Sequence, residues 1–134
     1  MAIIEQTSNQ CQNMKINLLI PALISCLSIV ALPARATETR CGWLKNPTPA
    51  NWFLTDKSGT WTISMQGGYQ ARGMDYLPAI DNKQFVKTNG NYGYGCACLR
   101  VTANRQRMKI TEIKSGKPLP LSTCRRDRNL PKNP

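Results

Sequence analysis

The segment Gly93–Arg100 reads GYGCACLR and lies inside the longest alternating stretch of the chain. Successive side chains of a β-strand point to opposite faces, so residues from Tyr92 to Ala103 are predicted to form one long strand with two different faces. One face is small and apolar and carries Ala97, Leu99 and Val101. The other face carries Cys96, Cys98, Arg100 and Thr102. The two cysteines therefore leave the same side of one strand.

Four cysteines follow Thr37 in the sequence: Cys41, Cys96, Cys98 and Cys124. An even number of cysteines in a small exported domain predicts a disulfide framework, here of two bonds. A bond between Cys96 and Cys98 would close a very tight ring, because alternate residues of a strand lie about 6.5 Å apart. Each is therefore predicted to pair with Cys41 or with Cys124, and the sequence leaves both pairings open.

The cysteine spacing argues against a metal or redox centre. Structural zinc sites usually contain C-x2–4-C pairs, and redox pairs are typically C-x-x-C. The chain contains only C-x-C. We therefore predict no metal and no other cofactor.

The N-terminal segment has the pattern of a secretory signal peptide. Met14-Lys15 precedes an apolar run from Ile16 to Leu32, and Ala34-x-Ala36 follows. We predict that residues 1–36 are removed, with cleavage after Ala36 and a true start at Met14. The protein is then expected in the periplasm or the medium, with no membrane span after removal of the signal.

Two alternatives remain open for this segment. An uncleaved membrane anchor is the first, although the apolar run is slightly shorter than the usual ~20 residues and contains Pro21. A lipoprotein is the second, because LISC ending at Cys26 resembles a lipobox. That alternative places the protein at a membrane through a lipid on Cys26.

The remaining chain is predicted to form a single small β domain over residues 37–130, with a disordered tail at 131–134. Two β-rich runs around Asp56–Gly59 indicate a hairpin, and Trp61, Ile63 and Met65 are expected to face inward. Further predicted elements are a loop at Asn46–Pro49, strands at Gln84–Thr88 and Met108–Lys114, a bulge or strand end at Glu112-Ile113, a strand end at Gly116 and Pro118, and a helical turn at Leu121–Arg126. The predicted fold class is mostly β: a small antiparallel sheet domain with long loops, stapled by two disulfides.

Several catalytic classes are disfavoured by composition. The chain contains no His, which removes the commonest general base and the Ser-His and Cys-His nucleophile pairs. A carboxylate-dependent hydrolase remains as an alternative function, with Asp75 and Asp81 as its best candidates because they lie in a long irregular stretch. We assign no catalytic residue and favour binding over catalysis.

Charge and aromatic residues point to a ligand surface. From residue 37 onward, sixteen basic residues face six acidic ones, and such a charge attracts anionic surfaces. The predicted ligand surface consists of Tyr92, Tyr94, Arg100, Arg125 and Arg126. The expected ligand is an anionic or sugar-like envelope component, and no nucleic acid is expected.

The same residues are open to other interpretations. The glycines around Tyr92 and Tyr94 are also typical of a strand packed close to another backbone. The arginines are also typical of a solvated sheet edge. A further alternative is an interaction or inhibitor protein that presents residues 67–83 to another exported protein.

Four segments together resemble one bacterial family: ETRCGWLKNPTPANWFLTD, WTISMQGGYQARGMD, TNGNYGYGCACLRV and SGKPLPLSTCR. They are similar, in this order, to the domain of unknown function 4087, over about Glu38 to Leu130. The resemblance implies a small exported bacterial protein with this cysteine pattern. It implies no activity and no catalytic residues.

Overall fold

The computed structural model describes residues 35–134. Its strands and helix are β1 Glu38–Thr48, β2 Asn51–Asp56, β3 Gly59–Ser64, β4 Phe85–Asn89, β5 Tyr92–Asn104, β6 Lys109–Leu119 and α1 Leu121–Arg126. Two short 3-10 helices, Met74–Tyr76 and Asn82–Gln84, lie between β3 and β4. Within residues 35–134, no helix has the length and apolar character needed to cross a membrane. The predicted start at Met14 and the lipobox cysteine Cys26 lie outside the described residues, as does the signal peptide up to residue 34.

The six strands form one mixed sheet that closes on itself. Their order is β1-β2-β3-β6-β5-β4, and β1 also pairs with β5. That additional pairing runs from Glu38 opposite Val101 to Asn46 opposite Gly93. It joins β1, β2, β3, β6 and β5 into a ring, so that these strands form a small, partly open barrel. The only parallel pairing between the described strands is β3 with β6, so the prediction of a mostly β, largely antiparallel fold is confirmed.

The interior of the barrel is the main hydrophobic core. The apolar face predicted for β5 lies inside it, with Leu99 and Val101 fully buried. Trp61 and Ile63 of β3 are buried there as predicted, but Met65 is 47% exposed because β3 ends at Ser64. The other buried members of this core are Leu44, Leu54, Ala71, Ala97, Ile110 and Ile113.

A second apolar cluster lies on the outer face of β1 and β5. Helix α1 covers this face, with Leu121 and Cys124 packed against Trp43 and Cys96. Leu130 is also buried in this cluster, and the Trp43 indole donates a hydrogen bond of 2.9 Å to the Pro131 carbonyl. The chain therefore remains packed through residue 131, the first residue of the predicted tail.

Both central cysteines reach outward from β5, as predicted. Cys98 is bonded to Cys41, its direct neighbour on β1. Cys96 is bonded to Cys124, which ties α1 to the outer face of the barrel. The structure thus selects one of the two pairings that the sequence leaves open.

Two predictions based on proline are wrong. The segment Asn46–Pro49 is not wholly a loop, since β1 continues to Thr48. β6 does not end at Gly116 and Pro118 but continues to Leu119. Pro118 lies opposite Ala97 on β5 in a part of β6 that has no strand on its other side, and edge positions tolerate the missing amide hydrogen. Of the bulge or strand end predicted at Glu112-Ile113, the structure has the bulge: the register shifts on both sides of that pair, and the strand continues.

We expect mild reduction of the oxidised protein to open Cys41–Cys98 before Cys96–Cys124. Thiol–disulfide exchange requires access of the attacking thiolate to sulfur, and Cys41 is exposed whereas Cys96 and Cys124 are both buried. A dithiothreitol titration, with free thiols trapped by iodoacetamide and located by peptide mass analysis, gives the order. Simultaneous opening, or earlier loss of the buried bond, contradicts the prediction.

Candidate functional site

One lysine and two aromatic side chains form a row across the outer face of three neighbouring strands. Lys45 of β1 lies directly opposite Phe53 of β2 and directly opposite Tyr94 of β5. Directly opposed residues on one face of antiparallel strands have Cβ atoms about 4.5–5.5 Å apart. The strand register therefore places the Lys45 side chain between two aromatic side chains.

This row forms the floor of a pocket, here named the Lys45 pocket, with a volume of about 400 Å³. Its other walls come from the ends of β1 and β4 and from the chain terminus. The lining residues are Lys45, Pro47, Phe53, Thr60, Thr88, Gly93, Tyr94 and Pro134. Its surface is thus mostly apolar and aromatic, with few polar groups, which is the usual character of a small-molecule site.

The position of Tyr94 is fixed by the second apolar cluster. Its ring meets the Trp43 ring edge-on, with centroids 5.3 Å apart and planes at 84°. Trp43 in turn is only 1% exposed and is held by its bond to Pro131. One wall of the Lys45 pocket is therefore packed against a buried cluster.

Lys45 is a partly buried cation that forms no ion pair with residues 35–134. Partial burial lowers the pKa of its amine, because removal from water disfavours the charged form. Among residues 35–134, each ion pair joins other groups, and no carboxylate contacts Lys45. An anion in this pocket would therefore recover stabilisation that the amine loses on folding.

Of the five residues predicted to form a ligand surface, the structure brings Tyr94 alone into the Lys45 pocket. Tyr92 lies on the same face of β5 and is half-buried, and Arg100 is exposed six residues beyond Tyr94, about 20 Å along the strand. Arg125 and Arg126 are exposed on α1, which covers the stretch of this face around Cys96. The predicted residues therefore follow one side of the domain and do not converge on a single point.

Sequence reasoning missed Lys45 and Phe53. Phe53 falls in the first run of the predicted hairpin, Lys45 falls in no predicted element, and no local motif marks either residue. Their proximity to Tyr94 depends on the register of β1 with β2 and with β5. An aromatic residue opposite a lysine becomes visible only when that register is known.

The two carboxylates predicted as best candidates for hydrolysis are both exposed. Asp75 lies in the first 3-10 helix, and the Asp81 carboxylate accepts a hydrogen bond of 2.8 Å from the amide of Lys83 at the start of the second. Neither lines the Lys45 pocket. Within residues 35–134, no group of three His, Cys, Asp or Glu side chains is arranged to hold a metal ion.

A buried polar network closes one end of the barrel. The Arg40 guanidinium donates to Asp56 Oδ2 at 2.6 Å and lies 3.5 Å from the centre of the Trp61 ring. Asp56 Oδ1 accepts from the Trp61 indole at 3.0 Å and from the Ser58 amide at 2.8 Å. Since Arg40 and Asp56 are 7% and 6% exposed, we interpret this network as structural.

A basic depression elsewhere on the surface contains three cations, two of which are already paired. Arg35, Arg72 and Lys114 line it together with Glu112. The Glu112 carboxylate accepts from Arg72 at 2.9 Å and lies 2.8 Å from the Lys114 amine. This depression offers less net charge to an anion than its lysine and arginine content suggests.

These features define the chain as a small β-barrel domain with two disulfides and a mostly apolar, lysine-containing pocket. The family described as Protein of unknown function (DUF4087) matches residues 35–131, and the chain belongs to that family. No curated protein matches the sequence, and no solved structure matches it.

Replacement of Asp56 by alanine is expected to lower the free energy of unfolding by about 3–5 kcal/mol, because it leaves the buried Arg40 without its main counter-ion. Chemical denaturation of the oxidised protein measures the change. Asp75→Ala is the matched control, since this exposed carboxylate should change stability by no more than about 0.5 kcal/mol. A loss below about 1 kcal/mol for Asp56→Ala contradicts a structural role for the network.

Acidification is expected to destabilise the fold below about pH 4.5. Burial disfavours the charged form of Glu38, but hydrogen bonds from Arg105 and Arg40 outweigh it and lower the pKa of Glu38 from its usual 4.5. A carboxylate with a lowered pKa stabilises the fold above its unfolded-state pKa, and this contribution disappears as pH falls through the folded-state value.

Unfolding midpoints measured between pH 7 and pH 3 test this dependence. The Glu38→Gln variant should lose less stability over the acid part of the range than the parent protein does. Identical pH profiles for the two proteins rule out Glu38 as a contributor.

Proposed function

We propose that this chain is a non-catalytic binding domain for an anionic, sugar-like component of the bacterial envelope. The observation that carries the proposal is the Lys45 pocket, where a partly desolvated amine with no counter-ion among residues 35–134 shares the lining with two aromatic rings. A location in the periplasm or outside the cell fits the two disulfides, since such bonds persist in oxidising compartments.

The chemistry of the pocket suits a ligand that combines an acid group with a partly apolar ring. A carboxylate or phosphate would pair with Lys45, and charge-assisted hydrogen bonds of this type are among the strongest in proteins. Phe53 and Tyr94 add two aromatic rings to the lining of the same pocket. Sugars with acidic substituents have both features.

The positions of the three predicted arginines favour a polymer over a small ligand. Arg125 and Arg126 lie on α1, and Arg100 lies on the same face of β5 beyond the disulfides. A chain that starts in the Lys45 pocket would meet these cations along that side of the domain. Their contribution is electrostatic attraction, which steers an anionic polymer without selecting its sequence.

The Lys45→Gln variant should bind purified peptidoglycan, lipopolysaccharide or heparin on the order of tenfold more weakly than the parent protein. The reason is the loss of one hydrogen bond to a charged group, about 1.5–3 kcal/mol. Retention on each immobilised polymer at physiological salt measures the effect.

Lys57→Gln is the matched control, because it removes the same charge from an exposed position in the β2–β3 turn. It should reduce retention only slightly. Equal losses of retention in the two variants would show that net charge alone attracts the polymer. If the parent protein is retained on none of the three polymers, the proposal is wrong.

A role as partner or inhibitor of another exported protein is the second candidate. The two large apolar side chains that are exposed in residues 35–134 are Met65 and Tyr76. Tyr76 lies within the predicted 67–83 loop and Met65 lies just before it. Much of this loop is held on the barrel, however, since Ala71 is buried and Leu77 and Ile80 pack on the core, so a partner would meet a fixed surface.

A further inference from the structure

A second aromatic pocket, here named the Trp52 pocket, has a volume of about 340 Å³. It shares no lining residue with the Lys45 pocket. Its lining residues are Trp52, Pro78, Ala79, Ile80, Asn82, Phe85, Lys87 and Asn91. Two aromatic rings and two carboxamides thus face one small space.

Trp52 differs from the other two tryptophans of the chain. The indole nitrogens of Trp43 and Trp61 both donate to protein oxygens, and both residues are 1% exposed. Trp52 is only half-buried, and no hydrogen bond joins its indole to an acceptor among residues 35–134. Tyr and Trp side chains usually find a partner for their polar group when buried, whereas a half-buried indole can bond water, so the Trp52 N–H can also donate to a ligand.

The polar groups of the pocket are also suited to hydrogen bonds with the hydroxyl groups of a ligand. The Asn82 carboxamide has no hydrogen-bond partner among the described residues, and a carboxamide both donates and accepts. Lys87, the only cation in the pocket, is directed to Asn91 Oδ1 at 3.5 Å. The pocket therefore provides hydrogen-bond donors and acceptors, and Lys87 is its only charged lining residue.

The wall of the pocket is built by close approach of a loop to the barrel. At Gly95 of β5, a Cβ atom would lie 2.6 Å from Ile80 Cδ1, and at Gly116 of β6 it would lie 2.6 Å from Pro78 Cδ. Glycine at both positions lets the segment around Pro78 and Ile80 rest directly on the strands. This contact holds the loop side of the pocket opposite Phe85, which lies directly across from Gly95.

We propose that the Trp52 pocket binds an uncharged pyranose ring, stacked on Trp52 and Phe85 and hydrogen-bonded by the Trp52 N–H and the Asn82 carboxamide. This is a site separate from the Lys45 pocket, and it goes beyond the proposed function because it requires no acid group on the ligand. A nucleobase also stacks on aromatic rings, but nucleic acid needs several cations for its phosphates, and this pocket contains Lys87 alone.

Tryptophan fluorescence tests the proposal, because Trp52 is the one tryptophan of the three that is not fully buried. The probes are chitotriose and cellotriose as uncharged sugars and adenosine as a nucleobase, each up to millimolar concentration. We expect at least one trisaccharide to shift the emission saturably. Asn82→Ala should weaken that binding at least threefold, whereas Tyr76→Leu, a change at an exposed ring outside the pocket, should leave it unchanged.

Saturation-transfer NMR with the Trp52→Phe variant extends the test. This variant keeps a ring for stacking but loses the N–H, so trisaccharide binding should weaken several-fold. The Asn82 variant keeps the experiment decisive if Trp52→Phe folds poorly. Lys45→Gln should leave neutral sugar binding intact, so failure of the proposed anion site and failure of this site are separable. A response to adenosine alone, no response to either trisaccharide, or equal binding by Asn82→Ala overturns the proposal.

Discussion

The pairing of β1 with β5 is the interaction on which the rest of the structure depends. It runs over nine residue pairs, and the Cys41–Cys98 bond crosses it at a directly opposed pair. On the inner side, this pairing brings Leu44 beside the apolar face of β5 and closes the barrel around its core. On the outer side, it sets Lys45 against Tyr94. One register therefore determines both the core and the candidate site.

The sequence was most informative where side chains alternate cleanly. The two faces of β5, the β2–β3 hairpin and the helical turn holding Cys124 all follow from local pattern, and the structure confirms them. It was least informative at Pro47 and Pro118. A proline ends a strand only where its missing amide hydrogen is needed, and that depends on whether a neighbouring strand lies on that side. The closure of the sheet into a barrel is likewise a non-local property.

The residues of the candidate site were likewise predictable only where a local pattern marks them. Tyr94 was predicted because an aromatic residue in a glycine-rich strand is conspicuous, whereas Lys45 and Phe53 have no local signal and meet only through pairing. The glycines themselves have the simpler role. At Gly93, a Cβ atom would lie less than 2 Å from the Val86 carbonyl oxygen, so glycine there allows close packing of β4 on β5. The basic residues predicted to form one face lie along the domain and not around the pocket.

The central proposal is that the partly desolvated amine of Lys45 binds an anion. The most direct test is the pKa of Lys45, followed through its side-chain ¹³Cε resonance in the oxidised protein, alone and with a soluble muropeptide from peptidoglycan. The account predicts a pKa below the usual 10.5 in the free protein and a rise on addition of the muropeptide. A Lys45 pKa that is ordinary in the free protein and unchanged by the muropeptide would contradict it.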